Sequence, residues 1–224
     1  MLKAKISKEE VNEMPVVVFG GKITVVDDDK HIHDAVTFLR KHKIVGIDTE
    51  TKPSFSRGQS HKVALLQIST EDHCFLFRLN KIKLSIELAD FLADKKIKKI
   101  GLALKDDMVG LNKHHHFKPE NLTDLQSVVK EYGILELGLQ KIFAILFGKK
   151  ISKSQRLTNW ESHDLTEMQQ RYAATDAWAV LKIYQQLSEE KKITRKQLEE
   201  LIISHAVQHQ RQDPIALENQ TVNT

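Results

Sequence analysis

The run Ile44–Asp48 reads IVGID. A short, unbroken apolar strand of this kind belongs inside a sheet covered on both faces, since a half-exposed strand would alternate apolar and polar residues. The chain must therefore supply helices for both sides of that sheet. The run ends on an acid, Asp48, and a second acid, Glu50, follows two residues later. Residues at i and i+2 of a strand point to one face, so two carboxylates crowd the end of a buried strand. They repel each other and resist desolvation unless a cation sits between them, and hard oxygen donors suit Mg²⁺ or Mn²⁺. For these two residues alone, a solvated strand end without chemistry is the competing reading.

The rest of the chain supplies what that strand needs. Lys22–Asp27 is rich in β-branched residues, and Asp34–His42 follows with helical spacing of apolar residues. TKPSFSRGQSHK, after Glu50, is a Pro/Ser/Gly loop. Lys62–Ser69 and His73–Phe77 read as two paired strands joined by the polar turn Thr70–Asp72. A helix around Ile86–Ala93 leads to a strand over Lys99–Leu104, with Asp106 placed to cap the helix that begins there. From that point the pattern is mainly helical. NLTDLQSVVKEYG closes at Gly133 and Leu137–Phe147 at Gly148. Leu165–Leu187 forms a long amphipathic helix capped by Asp164 or Thr166, and Arg195–Gln208 a last one. Strands early and helices late predict an α/β fold, a mixed β-sheet flanked by α-helices.

Composition excludes several classes. Hydrophobic residues make up 41% of the 224, enough for a sizeable core. No apolar run approaches the roughly 20 residues of a membrane span, and the charged N-terminus lacks the apolar centre of a secretory signal. A soluble, intracellular protein is expected, cytoplasmic if bacterial. Cys74 is the single cysteine, which rules out an intrachain disulfide and a Cys-rich zinc site; it reads as a core residue. His114–His116 cannot all face one site on a helix and read as a surface turn. The net charge of +4 permits a polyanionic partner without demanding one.

Two further acids stand out. Asp176 lies in RYAATDAWAVLKIY, where Asp is a poor helix-interior residue. It is flanked by Ala173, Ala174, Ala177 and Ala179, small enough for another backbone or a ligand to come close. Tyr172, four residues earlier, shares its helix face. Asp106 and Asp107 follow the apolar strand IKKIGLAL.

DTE after a strand, GLALKDDMVGL in mid-chain and YAATDA on a late helix recur in this order in one family. The chain resembles the DnaQ-like 3′→5′ exonucleases of the RNase H-like fold, in their Tyr-containing (DEDDy) branch. The likeness spans roughly Lys22 to Leu187 and includes SKSQRLTNW before the last motif. It is stronger to the exonuclease domain of the Werner-syndrome helicase than to RNase D. The resemblance implies a 3′→5′ exonuclease domain over residues 21–190, an N-terminal extension over 1–20, and a C-terminal helix with a disordered tail over 191–224. The family places a Gly six residues before its third acid and a Leu four after it, which Gly101 and Leu111 satisfy for Asp107 and not for Asp106.

By that resemblance Asp48, Glu50, Asp107 and Asp176 hold two divalent metal ions, Mg²⁺ or Mn²⁺, and Tyr172 orients the attacking water. The product is a nucleoside 5′-monophosphate. The implied partner is single-stranded or 3′-recessed nucleic acid, DNA before RNA, with no membrane and no identified protein partner. Lys52, Arg57 and Lys62 are candidates for phosphate contacts and Phe55 for base stacking, with Lys149, Lys150, Lys153 and Arg156 as a second basic stretch. Trp160 and Trp178 read as core anchors. An RNase D-like RNA exonuclease and a non-catalytic nucleic-acid-binding protein are the rival readings.

Overall fold

The structure, a computed structural model, describes residues 2–54 and 60–212. In chain order the elements are α1 (Lys8–Glu13), β1 (Val16–Val17), β2 (Lys22–Val26), α2 (Ile32–Leu39), β3 (Ile44–Thr51), β4 (Val63–Ser69) and β5 (His73–Phe77). There follow α3 (Leu79–Ile82), α4 (Ile86–Leu92), β6 (Lys98–Gly101), α5 (Leu104–Asn112), β7 (Leu122–Asp124) and α6 (Leu125–Val128). Last come α7 (Leu139–Phe147), β8 (Lys150–Ile151), α8 (Glu167–Glu189) and α9 (Arg195–Gln212).

Six strands form one mixed sheet in the order β2-β5-β4-β3-β6-β7. The β3–β4 and β4–β5 pairs are antiparallel, and β2–β5, β3–β6 and β6–β7 are parallel. Strand β3 is central, as its unbroken apolar run requires. On one face Val36, Leu39, Leu88 and Phe91 of α2 and α4 pack on Val45, Ile47, Phe75 and Phe77. On the other, α7 and α8 cover Leu65, Cys74, Leu76 and Ile100. Full burial of each large side chain contributes about 1.5–3 kcal/mol, so the two apolar layers dominate the stability. Cys74 is fully buried, as expected for a core residue.

Residues ahead of β2 lie against the α7–α8 side. The Leu135 amide donates to the Ala4 carbonyl at 2.8 Å, Val11 packs with Ala144, and Phe19 is buried. The Phe19 amide donates to Thr175 Oγ1 at 3.0 Å.

Several elements differ from the sequence expectation. NLTDLQSVVKEYG, read as helical, opens with β7, which pairs Lys99 with Leu122 and Gly101 with Asp124. Three residues are too few to show a two-residue period. The pairing of β1 with β8, two residues each, is short for the same reason. The strand expected to reach Leu104 ends at Gly101, because Ala103 takes a left-handed conformation (φ 58°) and turns the chain into α5. Thr166, not Asp164, caps α8, in a reciprocal box with Gln169. The last helix runs to Gln212, about a turn beyond the expected Gln208; the tail after it lies outside the described residues.

Candidate active site

Close packing of β3 and α8 assembles the centre of the site. Asp48 and Glu50 leave β3 on the face that α8 covers, and Asp176 on α8 is 7% exposed between small residues. One carboxylate oxygen each from Asp48, Glu50 and Asp176 lie within 4.8 Å of one another. Among the described residues, no histidine or cysteine joins a grouping of this kind. One turn before Asp176, the Tyr172 hydroxyl lies close enough to its carboxylate to oppose the rise in its proton affinity. The Tyr172 ring lies tilted against Trp160, 6.0 Å between centroids. Trp160 is fully buried and Trp178 packs against Phe19 and Phe143, so both tryptophans are anchors.

Asp107 approaches from α5. Asp106 is exposed, whereas Asp107 is half-buried and accepts a hydrogen bond from the Thr49 hydroxyl, between the two β3 acids. Asp107 stands outside the three-acid group. The capping role expected for Asp106 belongs to Asp124 on β7. Its carboxylate accepts from the amides of Ala103 (3.1 Å) and Leu104 (3.0 Å), and from Gln126 at the start of α6 (2.9 Å). The correction follows from where α5 begins: its first residue is Leu104, three residues earlier than a cap at Asp106 requires, so Asp106 is already inside its first turn.

The electrostatics of this cluster are those of anions without enough cations. Withdrawal from water, then the charges of Asp176, Glu50 and Asp107, hold Asp48 well above the usual carboxylate range. Burial and the charges of Asp176 and Asp107 raise Glu50, with Arg156 opposing. Burial raises Asp176, opposed by the Tyr172 hydroxyl and by Lys153. Asp107 is pushed up to about 6 by burial, with the Thr49 hydroxyl opposing the shift and Asp106 and Asp124 adding to it. Burial and then Asp176 raise the Tyr172 phenol, which therefore stays protonated. Crowded, oxygen-only donors with elevated proton affinity fit a hard divalent cation, whose charge would reverse these shifts.

The basic residues fall into groups. Lys153 and Arg156 are exposed yet close enough to act on Asp176 and Glu50. Lys52 is paired with Glu161 at 3.5 Å, and Lys62 lines a polar cleft with His61, Lys83 and His114. The Lys150 ammonium donates to the Asn12 carbonyl. Phe55 and Arg57 lie outside the described residues. His114 sits in the turn after α5, its Nε2 2.9 Å from the Val63 carbonyl oxygen.

Sequence reasoning passed over three residues near the acids: Thr49, Asp124 and Gln67. Thr49 was legible as the middle residue of DTE, and Gln67 as an amide inside the apolar strand VALLQIS. The hold of Asp124 on Ala103 and Leu104 left no local sign, since those two amides lie about 20 residues away in the chain.

The chain is 31% identical over 196 residues to the bifunctional 3′-5′ exonuclease/ATP-dependent helicase WRN of Mus musculus, covering 83% of this chain and 14% of that protein. It is 28% identical over 200 residues to a 3′-5′ exonuclease of Arabidopsis thaliana, covering 82% of this chain and 69% of the relative. The chain thus spans a small part of the mouse protein and about two thirds of the plant one. Its fold matches that of Escherichia coli RNase D, an exoribonuclease involved in structured RNA processing, with a TM-score of 0.68 at 24% identity over 87% of this chain and 52% of that one. The architecture is the expected RNase H-like one. Among the described residues, no helix is long and apolar enough to cross a membrane. Residues 23–192 match the 3′-5′ exonuclease family from end to end of the site, and the chain belongs to that family.

Proposed function

We propose that the chain removes nucleotides one at a time from the 3′ end of nucleic acid, DNA in preference to RNA, and releases nucleoside 5′-monophosphates. The observation that carries this reading is the convergence of Asp48, Glu50 and Asp176 within 4.8 Å, beside a tyrosine hydroxyl. Asp48, flanked by Glu50 and Asp176 and within electrostatic reach of Asp107, would help to hold two divalent ions, Mg²⁺ or Mn²⁺. Glu50 and Asp176 would hold one ion with it, and Asp107 the second. Bound there, the ions would supply Lewis acidity at the scissile phosphate and a water of lowered pKa.

The protein groups do the rest. Tyr172 keeps its proton, so it orients the water and the phosphate as a hydrogen-bond donor and does not act as the base. Lys153 and Arg156 take the phosphates flanking the cleaved bond, and Lys62 the backbone further along. Lys52 joins them once it exchanges Glu161 for a phosphate. The DNA preference rests on the sequence resemblance, stronger to the exonuclease domain of the Werner-syndrome helicase than to RNase D.

The test is digestion of end-labelled single-stranded and 3′-recessed oligonucleotides, DNA and RNA of matched sequence, with Mg²⁺ or Mn²⁺. A one-nucleotide ladder from the 3′ end, faster on DNA, is the expected result. Faster digestion of RNA would overturn the DNA preference, and internally cut products would overturn the exonuclease reading.

A further inference from the structure

Strand β4 is buried along its whole length, and Gln67 in its middle is 0% exposed. Neither atom of its amide has a hydrogen-bond partner among the described residues. That face also carries apolar residues: Leu65, Leu76, Ala173 and Ala177 belong to the cluster between sheet and α8. Burying an unpartnered amide costs stability, and a leucine or methionine of similar volume would avoid that cost. Packing alone therefore gives no reason for glutamine.

The register supplies one. Gln67 stands directly opposite Asp48 in the antiparallel β3–β4 pair and opposite Leu76 of β5 on its other side. Directly opposed residues share a sheet face, with Cβ atoms roughly 4.5–5.5 Å apart, so a glutamine side chain reaches the neighbouring carboxylate. A carboxylate only accepts, which turns the Nε2 end of the amide toward it. Carboxylates that ligate a metal are themselves held by such outer hydrogen bonds, and losing one typically costs about 10- to 100-fold in metal affinity.

We propose that Gln67 is a positioning residue for Asp48: its amide donates to the Asp48 carboxylate when the site is loaded and fixes the orientation in which that carboxylate meets the cations. The inference rests on the reading of Asp48 as a metal ligand. It makes the buried amide a stability cost retained for metal binding.

The experiment is Mn²⁺ titration of the full chain, followed by the electron paramagnetic resonance of free Mn²⁺, for wild type, Gln67→Leu, Gln67→Met and Asp48→Asn. Melting temperatures of all four are measured in EDTA. The expected result is that both Gln67 variants melt in EDTA at or above the wild-type temperature while Mn²⁺ affinity falls about 10- to 100-fold. Unchanged Mn²⁺ affinity in folded Gln67→Leu and Gln67→Met overturns the inference. A lowered melting temperature in EDTA for both variants also overturns it, since the amide would then serve the metal-free core. Wild-type protein that binds no Mn²⁺, or Asp48→Asn that binds it equally well, overturns the reading of Asp48 itself and the inference with it.

Discussion

A Cβ atom built on Gly46 of β3 would lie 1.9 Å from the carbonyl oxygen of Ala177 on α8. Nothing larger than glycine fits there, and this close approach is what brings Asp176 beside Asp48 and Glu50. Gly46→Ala should push α8 off the sheet, costing about 1–3 kcal/mol as overpacking does. It should also weaken metal binding, because one acid moves with the helix. Gly20→Ala is the control, since a Cβ at Gly20 meets nothing within 4 Å. A Gly46→Ala protein with wild-type melting temperature and Mn²⁺ affinity would show that the helix seat is not set by this contact.

Tyr172 offers a change that spares the fold. Tyr172→Phe keeps the ring against Trp160 and removes the hydroxyl that meets Asp176. Turnover should fall roughly 10- to 1000-fold, toward the lower part of the range for positioned proton-relay groups. Metal affinity should stay near wild type, because the phenol is not a ligand. Unchanged single-turnover rates would reduce Tyr172 to a packing residue.

The three aspartates around α5 separate by role. Asp107→Asn should cost activity by orders of magnitude with little change in melting temperature. Asp124→Ala should cost stability by about 1–2 kcal/mol, the upper part of the range for a lost cap, because three backbone amides lose their acceptor. Exposed Asp106→Ala should leave both nearly unchanged. Thermal melts and 3′-end digestion of the three variants check the assignment, and a strong activity loss in Asp106→Ala would transfer the metal role to that residue.

The convergence of the acids was legible because two local periods generate it: two residues along β3 for Asp48 and Glu50, four along α8 for Tyr172 and Asp176. The crowd of alanines around Asp176 likewise announced a close neighbour, which proved to be β3 at Gly46. The start of α5 was not legible. It depends on a left-handed Ala103 held by Asp124, a contact between segments that no local pattern marks. Gln67 was missed for a related reason: its meaning lies in which residue of β3 it faces, and register is settled by strand pairing. Strand β7 escaped through brevity.

The crowded acids also set a pH dependence for the metal-free protein. Unfolded carboxylates titrate near pH 4, whereas Asp107 is pushed up to about 6 and Asp48, Glu50 and Asp176 are also raised. The folded state thus binds more protons than the unfolded one in this window, so these groups destabilise the fold increasingly as pH rises from about 4. In EDTA, Asp48→Asn should therefore gain melting temperature over wild type at pH 8 and much less at pH 5. Added Mn²⁺ should raise the wild-type melting temperature more at pH 8 than at pH 5. Scanning fluorimetry across that range is sufficient, and an Asp48→Asn protein less stable than wild type in EDTA at pH 8 would contradict the sign.

The central claim is that Asp48 and its neighbours hold the divalent ions on which 3′-end hydrolysis depends. Digestion of a labelled 3′-recessed DNA by wild type and Asp48→Ala, with Mg²⁺ or Mn²⁺ and again after chelation, tests it most directly. The predicted result is a one-nucleotide ladder with metal, none in EDTA, and a loss on the order of 10³-fold or more in Asp48→Ala, as expected when a Lewis-acid site is dismantled. Full activity after rigorous chelation, or undiminished activity in Asp48→Ala, would contradict it.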